Sequence, residues 1–312
     1  MEQLNPMSPL LVTCLPEGSE WSYQLKWDGF RILASCEEGQ VQLFSKQMSD
    51  KTEIYPEITQ ALQHKTGRFV IDGEAVVLDP VTGNPSFQRM QQRDKLHDSG
   101  AIRRAVQSHP VHYMIFDLLY ADGEDLRHLP FVQRAARLIS LTQDWKAPLY
   151  RCEQYDDAEI LWDWVDSHKF EGVIAKRNQS VYGQGKDHQD WFKRKTVHRS
   201  TVQIIGILMK EGRISSLVMC HNGQYHGRVS SGLNGSIKQS LSVLETTNSA
   251  DHYFDTWPEG VRNQDVRWLR NLLQAEVEGR ELTAAELLRH PRIISIEGVN
   301  HDRSRQAKDR RK

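Results

Sequence analysis

Alternation of apolar and polar residues in short runs is the feature that most restricts this chain. "WSYQLKW" (21–27), "RILASC" (31–36) and "VQLFS" (41–45) each alternate as a half-buried strand does, and "EEGQ" (37–40) is a turn between the last two. "RFVIDGEAVVLD" (68–79) and "VHYMIFDLLY" (111–120) are longer and more apolar, as strands covered on both faces are, and "EGVIAK" (171–176) and "DWFKRK" (190–195) add two more. Helical spacing is confined to "PFVQRAARLISL" (130–141), with Pro130 as first helical residue, and "DDAEILWDWVDSHK" (156–169), with acids in its first turn and basic residues at its end. The pattern predicts an α+β domain with mixed and antiparallel sheets.

The polar stretch "TVHRS" (196–200) marks a boundary, placing domains at 1–198 and 199–312. Beyond it "TVQIIGILM", "ISSLVMC" and "QYHGRVSS" are short, evenly spaced strands of a small barrel or sandwich, whereas 265–290 carries mixed signals. No internal repeat is present. Four widely spaced cysteines without a CxxC pair argue against a zinc ribbon or a disulfide framework and fit a reducing cytosol. The start lacks a signal-peptide pattern and no apolar run is long enough to span a membrane, so a cytoplasmic, membrane-free protein is expected, nucleoid-associated if bacterial. A net charge of −1 carries no global nucleic-acid signature; the basic clusters are 186–199 and the tail 302–312.

Within "QLKWDGFR" (24–31), Lys26 ends a strand just before an Asp-Gly turn. A lysine taken singly is most often a solvated surface residue, so its company matters. Glu74 lies inside an apolar strand and Glu171 at the mouth of another, and a carboxylate there needs a cation or a strong donor. Period two puts Lys193 and Lys195 on one strand face and Arg194 on the other. An amine among cations has its charged form disfavoured, which frees a neutral nucleophile. Two carboxylates and two lysines suit nucleotidyl transfer, the acids holding Mg²⁺ and the lysines neutralising phosphate charge. Phe116 is either a core residue or a platform for a base.

In order along the chain, "KWDGFR", "FSKQMSDKT", "DGEAVV", "FDLLY", "EGVIAK" and "WFKRK" resemble the motifs of the covalent nucleotidyltransferases. Together with "HGRVSSG" (226–232), they look most like ATP-dependent DNA ligases, specifically the ligase module of bacterial end-joining proteins. The resemblance implies an adenylation domain followed by an OB-fold barrel, with ATP and Mg²⁺ (or Mn²⁺) as cofactors. It implies that Lys26 attacks the α-phosphate and holds AMP, and that Arg31 and Lys46 contact the nucleotide or the 5′-phosphate of the nick. Glu74 would bind ribose or metal, Phe116 stack on adenine, Glu171 hold a metal, and Lys193 and Lys195 contact the α-phosphate. The implied partners are nicked double-stranded DNA and a Ku-like end-binding protein, and the chain is expected to act as a monomer. NAD-dependent ligases, with their extra N-terminal domain and four-cysteine zinc site, do not match.

The chain departs from that pattern at three points. Gln24 stands where these ligases carry a Glu that accepts from the adenine amino group, which removes charge assistance but leaves an acceptor. Lys46 replaces an arginine and so loses the bidentate fork. The OB domain's closing "RxDK" element is missing after "LRHPRIISIEGVNHDRSR", with Arg303 or Arg305 as substitutes. Two alternatives stay open: an RNA ligase or capping-type guanylyltransferase, and a nucleic-acid-binding module with an inactive site.

Overall fold

The computed structural model describes residues 5–248, 253–254, 257–279, 281–282, 288–289 and 291–299. The chain divides into two compact units, 1–196 and 197–312. The architecture is mixed α/β and mostly sheet.

The first unit holds two sheets. One has four strands in the spatial order Leu10–Leu11, Trp191–Lys195, Gly172–Arg177, Trp21–Lys26. The other runs Gln40–Ser45, Phe30–Glu37, Arg68–Val77, Val111–Ala121, Glu124–Asp125, with Leu149–Arg151 parallel to Val111–Ala121. Alternation decides which side chains go where. Ile32, Ala34, Ile71, Ala75, Tyr113 and Ile115 form the main core with helices Pro56–Gln63, Phe87–Asp94 and Phe131–Thr142. Tyr23, Val173 and Ala175 pack instead against helix Ala158–Ser167. Between the sheets lies a smaller cluster containing Leu33, Leu119, Tyr182 and Trp191, with Phe116 against it.

Both expected helices form, with shifted ends. Pro130 is the N-cap, its ψ of 146° extended, and the helix proper is Phe131–Thr142. Asp157 caps Ala158–Ser167 by accepting from the Ile160 N–H at 2.9 Å. His168 and Lys169 fall beyond its end, Lys169 in the left-handed region at φ 59°, so no basic residue occupies its last turn.

In the second unit His198–Lys210 pairs with Arg213–His221 and with Asp265–Gly279. Arg213–His221 pairs onward with Gln224–Val229, and Asp265–Gly279 with Arg292–Ile296. A parallel bridge joins Ser231, just past the third strand, to Arg292 in the last. Helix Gly235–Ser242 follows the third strand and contributes Ile237 and Leu241 to a core with Val202, Ile204, Leu217 and Val277. A second cluster gathers Tyr225, Tyr253 and Phe254 around the fully buried Trp268. The ambiguous segment 265–279 is thus one 15-residue strand. Arg303, Arg305 and the basic tail lie outside the described residues. Among the described residues no helix is long and apolar enough to cross a membrane.

Candidate active site

Directly opposed residues of an antiparallel pair point to the same face, so register fixes the inner face of the four-stranded sheet. Lys26, Gly172 and Lys195 share one rung; Gln24, Ile174 and Lys193 the next; Ser22, Lys176 and Trp191 a third. Arg194 points the other way, its guanidinium 3.5 Å from the Trp162 ring centroid. At Gly172 a Cβ would lie 2.1 Å from the Arg194 carbonyl oxygen, so the first rung admits no side chain at its centre. Glu171, just before that glycine, accepts from both the Lys26 and Lys195 amines.

After Lys26 the chain leaves this sheet, turns through Trp27, Asp28 and Gly29, and enters the six-stranded sheet at Phe30. A Cβ on Gly29 would lie 2.1 Å from the Ala75 carbonyl oxygen, so only glycine lets the turn close onto the second sheet. Arg31 therefore faces Lys26 from the opposite wall. Its fork is held by buried Asp72, at 2.9 Å from Nε and 2.5 Å from Nη2, while Nη1 donates to the Met7 carbonyl at 2.6 Å. Tyr182 donates to the same Asp72 at 2.6 Å. Glu74 is the direct cross-strand partner of Arg31.

A cavity of about 390 Å³ opens between these walls. Its cationic lining is Lys26, Arg31, Lys46, Lys176, Lys186 and Lys193, and its one acid is Glu74. Phe116 lines it from one sheet and Ile174 from the other.

Burial works against the Lys26 ammonium, but Glu171 and then Glu74 outweigh it, and its pKa ends above the ordinary 10.5. This corrects the sequence expectation of an amine depressed by neighbouring cations: the charged group in contact with Lys26 is the Glu171 carboxylate. The depression falls on its neighbours. Lys193 is lowered to about 8 by burial and by Lys195, Lys26 and Lys186, and Lys46 is lowered by burial, Arg31 and Lys186. Burial pushes Glu74 up to about 7 against the pull of Lys26 and Arg31. Burial also opposes ionisation of Glu171, but Lys26 and Lys195 hold its pKa below the usual carboxylate value.

Of the residues singled out from sequence, Gln24, Lys26, Arg31, Lys46, Glu74, Phe116 and Lys193 line the cavity. Glu171 joins it through its ion pair with Lys26, and Lys195 through its own pair with Glu171. Sequence reasoning passed over Asp72 and Lys176. Asp72, two residues before Glu74, is likewise a carboxylate inside an apolar strand and needs a cation or strong donor for the same reason. Lys176 ends "EGVIAK" on the face of Ile174 and is 1% exposed; it donates to the Phe116 carbonyl at 2.9 Å. Its amine lies 4.3 to 4.7 Å from the ring centroids of Trp191, Phe131 and Phe116.

The ATP-dependent DNA ligase domain family matches residues 8–195 of the chain. A DNA ligase of Pyrobaculum islandicum is 28% identical over 93% of this chain, which spans 48% of that protein. The multifunctional non-homologous end joining DNA repair protein LigD of Mycobacterium tuberculosis is 32% identical over 88% of this chain, with 35% of its own length covered. The chain thus spans about half or less of these relatives. Among solved structures, mycobacterial DNA ligase D complexed with ATP and MES is 31% identical, with a TM-score of 0.57 and 94% of each chain covered. The ligase domain of M. tuberculosis LigD is 30% identical at a TM-score of 0.56, covering 96% of this chain and 98% of that one. The match to the family over most of the first unit, and the likeness to these ligase structures over nearly the whole length, establish that the chain belongs to the ATP-dependent DNA ligase family.

Proposed function

We propose that the chain is a ligase module that seals nicked duplex DNA, with Lys26 carrying AMP between ATP and the DNA. The observation that carries this reading is the placement of the Lys26 amine at the wall of a cavity whose charged lining is cationic except for Glu74. A nucleoside triphosphate matches that charge, and about 390 Å³ falls in the range of small-ligand pockets. Phe116 and Ile174 would take the base between them, with Gln24 at its edge. Glu74 would meet the ribose or a metal. Arg31, pre-set by Asp72, and Lys46 would contact the nucleotide or the nick 5′-phosphate, and Lys193 and Lys195 the α-phosphate.

In the first step the neutral Lys26 amine forms a P–N bond to the α-phosphorus, the bond to the β-phosphate oxygen breaks, and pyrophosphate leaves with the electron pair. The 5′-phosphate then displaces Lys26 from AMP, and the 3′-OH displaces AMP from the phosphate. Positioning and charge neutralisation dominate such displacements. Lys26 must first lose its ammonium proton to solvent, a loss that Glu171, accepting from that amine, opposes. Mg²⁺ or Mn²⁺ fits the donor set only together with substrate oxygens: Glu74 and Glu171 are two carboxylates, and the described residues hold no cluster of three ligating groups. Such an ion, when bound, would neutralise phosphate charge.

The second unit, taken as residues 199–312, fits an OB-fold. Support comes from three consecutive hairpin-connected strands, a helix, and the long strand Asp265–Gly279, which pairs with the first strand, with the short Thr246–Thr247 and with Arg292–Ile296. A relative named for end joining supports a role in break repair; a Ku-like end-binding partner and action as a monomer belong to this reading through the motif resemblance alone.

The test is incubation with Mg²⁺ and α-phosphate-labelled ATP. Acid-labile label that disappears in Lys26→Ala, together with sealing of a nicked duplex lost in the same variant, is the expected result. Label that persists without Lys26 would overturn the assignment.

A further inference from the structure

The base end of the cavity bears on which nucleotide the site takes, an inference that rests on the ligase reading above. Beside Ile174 on its own sheet face stand Gln24, its direct cross-strand partner, and Lys176, two residues along the strand. Diagonal partners across an antiparallel pair are about 7 Å apart, within joint reach of one purine edge. Both residues are withdrawn from solvent, Gln24 at 3% and Lys176 at 1% exposure. The Lys176 amine is fixed to the Phe116 carbonyl, on the strand that carries the stacking ring. No carboxylate lines this end; the cavity's one acid, Glu74, stands opposite Arg31 on the other sheet.

A carboxylate only accepts hydrogen bonds, so at this edge it would take an adenine amino group and repel a purine 6-oxygen. An amide is ambivalent. Its oxygen accepts from the adenine amino group while its NH₂ donates to N1; flipped, its NH₂ donates to a 6-oxygen while its oxygen accepts from N1–H. The Lys176 ammonium donates to N1 of adenine or to the 6-oxygen without preference. Nothing in the pairing of these two side chains penalises a 6-oxopurine.

We propose that Gln24, with Lys176 beside it, lets this site transfer GMP or IMP, as well as AMP, onto Lys26. The bonds are those of the ATP reaction: Lys26 nitrogen joins the α-phosphorus, the bond to the β-phosphate oxygen breaks, pyrophosphate departs, and the amine proton passes to solvent.

The experiment measures initial rates of covalent labelling of the full chain with Mg²⁺ and α-labelled ATP, GTP or ITP, with Lys26→Ala as blank, in the wild type and in Gln24→Glu. GTP and ITP are expected to label the wild type at rates within about a hundredfold of ATP, and Gln24→Glu to lower both ratios to ATP by at least about tenfold, because a 6-oxygen would then face an acceptor. ATP labelling with GTP and ITP more than about 10⁴-fold slower would overturn the proposal while leaving the ligase reading intact. An unchanged ratio in Gln24→Glu would overturn the role of Gln24. Absence of label from every nucleotide, with no thermal protection of the Lys26→Ala protein by ATP, would overturn both readings. Should Gln24→Glu fail to fold, the wild-type ratios and the relative protection of Lys26→Ala by ATP and GTP still decide.

Discussion

Two ends of one sheet face treat a lysine in opposite ways. Lys26 and Lys176 lie on adjacent antiparallel strands, Lys26 opposite Gly172 and Lys176 four residues farther along that partner strand, and both amines are largely removed from water. At the Lys26 end Glu171 and Glu74 outweigh burial and raise the pKa above 10.5. At the Lys176 end burial wins over Asp117 and Cys152 and lowers it to about 8, even though three aromatic rings favour the charged form. Burial alone therefore does not set the state of an amine here; a carboxylate in direct contact does. The proposed nucleophile is thus held as an ammonium ion, whereas burial brings the proton of Lys176 within reach of mildly alkaline pH.

Removing the carboxylate should erase that difference and give the largest effect. Glu171→Gln strips a full charge from between Lys26 and Lys195, two mostly buried amines. It is expected to cost about 3 kcal/mol of stability in urea titration. Competitive acetylation read by mass spectrometry near pH 8 should show Lys26 reacting faster than in the wild type, because losing the carboxylate that holds its proton raises the neutral fraction of the amine. An unaltered Lys26 reactivity would mean that Glu74 alone holds the proton.

At the other end Lys176→Met should do the reverse and stabilise. It removes an ammonium that burial disfavours, for a gain of about 2 kcal/mol near pH 7 after loss of the ring and carbonyl contacts. The sign with pH follows from the lowered value: between about 8 and 10.5 the unfolded chain binds the extra proton, so wild-type stability rises with pH and the advantage of the methionine fades. Lys26 has the opposite linkage, its contribution intact below 10.5 and lost as pH climbs through its raised value. An advantage of Lys176→Met that does not vary from pH 7 to 10.5 would break the comparison. The smallest effect belongs to the outer face: Arg194→Ala loses the stack on Trp162, about 0.5 kcal/mol, with labelling by ATP within twofold of wild type.

Much of this site was legible in the sequence because strand alternation maps residue number directly onto face. Period two alone puts Lys193 and Lys195 together and turns Arg194 away, and the pairing register agrees. The direction of the Lys26 shift was not legible, since Glu171 is 145 residues away and only sheet pairing brings it to the amine. Helices Pro56–Gln63, Phe87–Asp94 and Ser99–Ser108 escaped notice because each is two to three turns long and rich in Gln, Arg or Ser, with few apolar residues to set a period. The strand Asp265–Gly279 was obscured by "LLQAE", helix-favouring residues that pairing with His198–Lys210 overrides.

The three-residue crossing from Lys26 to Phe30 also acts as a tether. An extended chain covers at most about 14 Å over those four steps, and packed sheets already stand about 10 Å apart. The walls therefore cannot part at the Lys26 end by more than a few ångströms without unravelling a strand. Any breathing of the cavity must swing about this point like a book about its spine, so the Lys26 end keeps its gauge while the Lys176 end takes up the play.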